Sequence, residues 1–323
     1  TNLQEKAEIA ESAALEVGGV SQVSGASASY GKYSVFMAAS NGFTANYDRS
    51  SNSVSCVAIA GEGLNMERDY DADTRVYQSD LRPSDEIGRT AGLRAVERLN
   101  PRRPATGSYP VIYDERVSSG LVGHFLSAIN GAAITRGSSW LKDSLGKQVL
   151  PSTCKLVENP HRLRAGASRL FDSEGLATKK REILSKGVLN GWTLDLASAR
   201  KLGMRPTANA SRNVSSNPSP TNWNIELSSP EDYCDNLLSE MGDGLLVTSL
   251  IGSTINPNTG DYSRGVSGFW VENGQICYPV SEITIAGNLR DMLKKIILGN
   301  DAQRHLSYVV PSILVEEMTL AGS

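Results

Sequence analysis

VSQVSGASASYGKYSVFMAASNGFTANYDRSSNSVSCVAIAGE, Val20 to Glu62, alternates small polar with apolar residues and carries no helical stripe. Side chains of period two belong to strands with one face buried. Asn41-Gly42 supplies the backbone freedom that a tight hairpin needs, and YGKY and SNGF punctuate the run. The stretch therefore predicts consecutive antiparallel strands. Before it, NLQEKAEIAESAALEV sets Leu3, Ala7, Ala10, Ala14 and Val17 at helical spacing until Gly18-Gly19 stops it. After it, RPSDEIGRTAGLRAVERL reads as a helix with Ser84 as N-cap and Ile87, Ala91, Ala95 and Leu99 on one face.

NPRRPATG, Asn100 to Gly107, gathers two prolines and a glycine and reads as a linker. It divides the chain into residues 1–104, an α+β domain expected to be truncated at its start, and residues 105–323, a β-rich domain. The second part opens with the strand SYPVIYD and a helix from Glu115 to Ala133. REILSKGVLNGWTLDL predicts a hairpin around LNGW, and MRPTANASRNVSSNPSPTNW a long polar loop. DGLLVTSLIG, GVSGFWVENGQICYPVSEITIAG (turning at Asn273-Gly274) and HLSYVVPSILVEEM predict strands, with a late helix in NLRDMLKKIILGN. There is no regular β-α alternation, so the class is α+β: strand-rich mixed and antiparallel sheets with a few helices in two domains.

Composition narrows the function. With 40% hydrophobic and 21% charged residues the chain is ordinary for a globular protein, and a net charge of -3 gives no basic footprint for direct nucleic-acid binding. No apolar run approaches the ~20 residues of a membrane span. Cys56, Cys154, Cys234 and Cys277 are widely spaced, as expected of reduced thiols in a cytoplasmic protein. GEG and GDG read as turns. Asp172, Glu174 and Asp195 are carboxylates whose convergence the sequence leaves open.

The helix from Glu115 carries Val117, Leu121, Phe125, Ile129 and Ala133 as a continuous apolar stripe, and a lone His124 beside it. A helical zinc site places ligands one turn apart with a glutamate at hand as base. One turn from His124 stand Gly120 and Ala128, and three residues away Leu121 and Ser127. None binds zinc. A ligand set could come only from remote residues such as His161, His305 or a cysteine.

GLVGHFLSAINGAAITRGSSWLKDSLGKQVLP, RLFDSEGLATKKREILSKGVLNGWTLDLASARKLGMRPT and GLLVTSLIGSTINPNTGDYSRGVSGFWVENGQICYPVSEITIAGNLRDML together resemble the TldD/PmbA family, and more closely its PmbA (TldE) branch. The resemblance implies one half of a heterodimeric metalloprotease that trims unfolded or modified peptides, in a family first described as modulators of DNA gyrase. In the catalytic TldD branch the corresponding helix carries His-Glu-x-x-x-His, and a cysteine near the C-terminus completes the metal site. Aligning VGH puts Ser119, Gly120 and His124 at those three positions; aligning RGSS instead puts Val122, Gly123 and Ser127 there. In either register the base and at least one ligand are missing, and GNDAQRHLSYVVPSILVEEM has no cysteine.

The resemblance therefore implies a chain without catalytic residues or metal ligands of its own, with zinc in the catalytic partner. Its partners are a TldD-type protease subunit and peptide substrates, with homo-oligomers expected when it is alone. Two other readings stay open: a metal-dependent peptidase acting through an unusual site at His124, and a peptide-binding homo-oligomer without proteolysis.

Overall fold

The computed structural model describes residues 2–230 and 232–322. It is α+β and strand-rich, and it divides into two compact units. The first runs to Arg102 and includes Arg164–Gly166; the second comprises Arg103–Leu163 and the chain from Ala167.

The first unit contains α1 (Leu3–Leu15), β1 (Val20–Ala38), β2 (Thr44–Ala60), β3 (Glu67–Arg75) and α2 (Ser84–Glu97). Asn2 caps α1, its Oδ1 accepting from the Gln4 amide at 3.0 Å. β1 and β2 pair antiparallel from Val20↔Ala60 to Ala38↔Thr44, turning at Asn41-Gly42. YGKY is no turn: the ladder runs through it, with Gly31 opposite Ser51. Val54, Cys56, Ala58 and Ala60 of β2 pack with Ala10, Ala14, Ile87, Ala91 and Ala95 of the helices. Small residues let the helices approach closely; a Cβ added to Gly88 would lie 1.9 Å from the Ala10 carbonyl oxygen. Ser84 is the first helical residue of α2, not its cap, a position Pro83 takes without a side-chain hydrogen bond.

β3, on the free edge of β2, has no apolar alternation in ERDYDADTR and is absent from the sequence reading. Its inward residues are Asp69, Asp71 and Asp73, all buried and all paired with arginine. Asp71 bonds Arg82 at 2.6 Å and Arg94 at 3.0 Å, Asp69 bonds Arg98 at 3.3 Å, and Asp73 bonds Arg75 at 2.7 Å. Charge pairing replaces apolar burial on this face, which the hydrophobic pattern does not register.

The second unit begins with β4 (Gly107–Tyr113), α3 (Glu115–Ala128), α4 (Gly131–Arg136) and β5 (Lys155–Glu158). β6 (Arg181–Ser185), β7 (Val188–Leu189), α5 (Leu196–Leu202), β8 (Ala210–Ser211), β9 (Ser219–Pro220) and β10 (Ile225–Ser228) follow. Next come β11 (Tyr233–Cys234), α6 (Leu237–Met241), β12 (Gly244–Ile255), β13 (Asp261–Glu272) and β14 (Gln275–Asn288). The chain closes with α7 (Leu289–Met292), β15 (Ile296–Gly299), β16 (Tyr308–Val309) and β17 (Ile313–Ala321).

Strands β4, β12, β13, β14 and β17 are hydrogen-bonded in that order, and β17 pairs back onto β4, closing a barrel. The β4–β12 pair is parallel and the rest are antiparallel. Closure leaves no free edge among these five strands. A second sheet has the order β16-β10-β5-β6-β7.

Four sequence expectations change here. The β6–β7 hairpin turns at Lys186-Gly187, both with positive φ (49° and 71°), and not at LNGW. The late helix is shorter than expected, an α turn at Leu289–Met292 continued by a 3-10 turn at Leu293–Lys295, because the β-branched Ile296-Ile297 run joins β17 as β15. HLSYVVPSILVEEM is two strands, interrupted at Pro311, which has no amide hydrogen to donate. The polar loop after Met204 contains the β8–β9 ladder and is anchored from within. The buried Glu158 carboxylate accepts from Asn209 Nδ2 at 2.9 Å, the Trp223 amide at 2.7 Å and Arg181 Nε at 2.5 Å. Among the described residues no helix is long and apolar enough to cross a membrane.

Candidate functional site: the face of helix α3

Asp114 starts α3, its Oδ1 accepting from the Arg116 amide at 3.1 Å. Leu121, Val122, Phe125 and Leu126 then bury one side in the core of the second unit. The helix ends at Ala128, not Ala133. Gly131 N donates to the Thr193 carbonyl at 2.8 Å and Thr193 N donates to the Ile129 carbonyl at 3.0 Å, drawing the backbone out of the helix. Asn130 then caps α4, accepting from Ala132 N at 2.9 Å.

Ser119, Gly120, Gly123 and His124 are half-buried and Ser127 is exposed, whereas Val122 is in the core. Ser127 Oγ donates to the Gly123 carbonyl at 2.9 Å. A Cβ on Gly123 would meet nothing within 4 Å, and one on Gly120 only Leu250 Cδ1, at 3.8 Å. Side-chain volume is absent on this face, not crowded out of it.

His124 packs edge-on against Tyr262 of β13, ring centroids 6.0 Å apart. Tyr262 and Arg264 stand two residues apart and so share a face of the strand. A side-chain hydrogen bond joins Tyr262 to the fully buried Tyr113 of β4, and burial raises the pKa of both phenols. Burial, and then the nearby Arg264 guanidinium, lower the His124 pKa to about 4. The imidazole is therefore neutral at neutral pH.

This donor set does not fit zinc. One turn to either side of His124 there is no ligating atom, and the charge beside it is a cation. Among the described residues no three His, Cys, Asp or Glu side chains are grouped to hold a metal. His161 is engaged elsewhere, with Nε2 3.0 Å from Thr178 Oγ1. The Cys154 thiol is buried and pushed up to about 11, which keeps it protonated. Asp172, Glu174 and Asp195 do approach one another, since both aspartates raise the Glu174 pKa after burial has done so. Their oxygens are taken by backbone: Asp172 accepts from the amides of Glu174, Leu176 and Ala210, Glu174 from that of Leu196, and Asp195 from that of Ser198.

Tyr113, Tyr262 and Arg264 are absent from the sequence reading. The signal available was the tyrosine–arginine alternation in DYSRGVSG, which puts a cation on the same strand face as an aromatic ring.

A closed barrel and a helix with a single half-buried histidine make the framework of the second unit. Family comparison agrees on the framework. Residues 1–99 match the PmbA/TldA metallopeptidase central domain and residues 106–322 the PmbA/TldA metallopeptidase C-terminal domain. The chain belongs to the PmbA/TldA metallopeptidase family. It is 43% identical to the metalloprotease PmbA of Escherichia coli O157:H7 over 284 residues, 88% of this chain and 61% of that protein. Identity to the PmbA homolog of Haemophilus influenzae is 41%, with the same coverages. The chain thus spans about three fifths of the length of these relatives. A TldD homolog from Buchnera aphidicola is 23% identical over 251 residues, which sets this chain with the PmbA (TldE) side of the family. A solved structure from Bacteroides thetaiotaomicron, named as a candidate modulator of DNA gyrase, superposes with a TM-score of 0.86 at 31% identity, covering 100% of this chain and 72% of that one. One from Thermotoga maritima gives 0.88 at 28%, covering 98% and 73%.

Proposed function

We propose that this chain is a non-catalytic subunit that pairs in the cytoplasm with a TldD-type protease and helps it process unfolded or modified peptides. The observation that carries the reading is the surroundings of His124: Gly120 and Ala128 one turn away, and the Arg264 guanidinium as the charge acting on it. A water activated for peptide hydrolysis needs a Lewis acid or a general base close to it. His124, neutral and next to a guanidinium, is a poor seat for a divalent cation. The burial of Val122 favours the register in which Ser119, Gly120 and His124 replace the two histidines and the glutamate, since those three share the open side of α3.

The test is to mix this chain with a TldD-type protease at micromolar concentration, follow the mass by light scattering, and assay cleavage of an unfolded peptide. The reading expects a heteromeric species and cleavage in the mixture, with none from this chain alone. Chelator-sensitive cleavage by the chain alone, or no heteromeric species, overturns it.

A further inference from the structure

Arg264 makes no salt bridge or side-chain hydrogen bond among the described residues, and its Nε is buried with no acceptor. Arg162 Nη1 and Arg169 Nε are also buried without an acceptor, but Arg162 donates through Nη2 to the Arg304 and Leu306 carbonyls, and other arginines of the fold are engaged as well. Arg181 is held by Glu158, Arg82 and Arg94 by Asp71, Arg98 by Asp69, and Arg169 lies 3.7 Å over the Trp223 ring. A buried donor without an acceptor is destabilising unless something supplies one.

Three features of Tyr262, His124 and the helix beside them describe what that acceptor is. Tyr262, on the same strand face, gives an aromatic wall, and its hydroxyl is engaged with Tyr113. His124, edge-on to Tyr262, adds no charge at neutral pH, so the local charge is a single positive one. Gly120, one helical turn from His124, leaves space that no other group within 3.8 Å fills. A planar guanidinium with adjacent N–H donors pairs with a carboxylate through two parallel hydrogen bonds, and one guanidinium balances one monoanion.

We infer that Arg264, walled by Tyr262 and His124, is a carboxylate-binding site for peptides. The choice of a peptide as the carrier of the carboxylate rests on the function proposed above. The site itself rests on the buried Arg264 Nε that has no acceptor.

The test uses this chain alone. The Arg264 15Nε–1Hε resonance is followed during titration with tetra-alanine, with its C-terminal amide, and with an amidated peptide holding one internal glutamate. Saturable shifts with tetra-alanine, at least tenfold weaker with the amide, support the site. Equal binding of the glutamate peptide assigns it to any peptide carboxylate, and weak binding of that peptide assigns it to the C-terminus.

R264Q removes the discrimination between acid and amide, whereas R290Q, which alters an exposed cation elsewhere in the unit, retains it. Unchanged thermal melts show that both variants are folded, and Gly120→Leu, which fills the space beside His124, weakens tetra-alanine binding at least tenfold as a second check. The proposal is overturned if the acid and the amide bind alike, if no peptide moves the resonance, or if R264Q still discriminates. No catalytic partner enters this titration, so its failure and a failure of subunit pairing are separate results.

Discussion

His124 of α3 meets Tyr262 of β13 edge-on, with 68° between the ring planes. Burial at this contact, and then the nearby Arg264 guanidinium, favour the neutral form of the imidazole. With the folded-state pKa lowered to about 4 from 6.5, the unfolded chain binds the extra proton first as the pH falls. Stability from this residue is complete above about pH 6.5 and is lost as the pH drops toward 4. Urea midpoints at pH 7 and pH 5 should differ in the native chain, and His124→Gln should shrink that difference. An equal difference in both proteins would show that His124 titrates normally.

The glycines of the two units predict opposite outcomes. Gly88→Ala drives a methyl into the Ala10 carbonyl, so α1 and α2 must separate, at about 3 kcal/mol or more. Gly123→Ala meets nothing and gains helix propensity, a change of at most about 1 kcal/mol in the stabilising direction. Thermal denaturation of the two variants separates a packing glycine from an open one.

Asp71→Asn leaves Arg82 and Arg94 facing a neutral amide inside the first unit. Both arginines are partly solvated, which reduces the loss to about 2 kcal/mol, below the figure for a fully buried pair. Hydrogen exchange should rise in β3 and α2, with little change in the barrel strands. Uniform acceleration in both units would contradict this assignment.

Glu158→Gln tests the loop that follows Met204. Glu158 is buried and bonded by Arg181, Asn209, Asn222 and Trp223, so losing its charge is expected to cost about 3–5 kcal/mol. Amides from residues 207–223 should exchange faster, including that of Trp223, which donates to Glu158 directly.

Much of this architecture is legible in the sequence because burial follows period. Val54, Cys56, Ala58 and Ala60 alternate, and Ile87, Ala91 and Ala95 recur at helical spacing. β3 escapes because its inward side chains are aspartates, whose burial depends on arginine partners, those of Asp69 and Asp71 lying outside the strand. The end of α3 and the late helix are misjudged for another reason. Tertiary backbone pairing, with Thr193 in one case and with β17 in the other, outweighs local propensity. At the candidate site the lack of a metal-ligating residue one turn from His124 is visible in the sequence. The arginine that faces His124 is not, because strand β13 and helix α3 meet only when the barrel closes.

Zinc per chain, measured by mass spectrometry on protein purified without chelator or metal-binding tag, with His124→Ala measured beside it, bears most directly on the proposal that this chain is a non-catalytic subunit. The account predicts less than about a tenth of an equivalent, the same in both proteins. One equivalent that falls on His124→Ala substitution would contradict it.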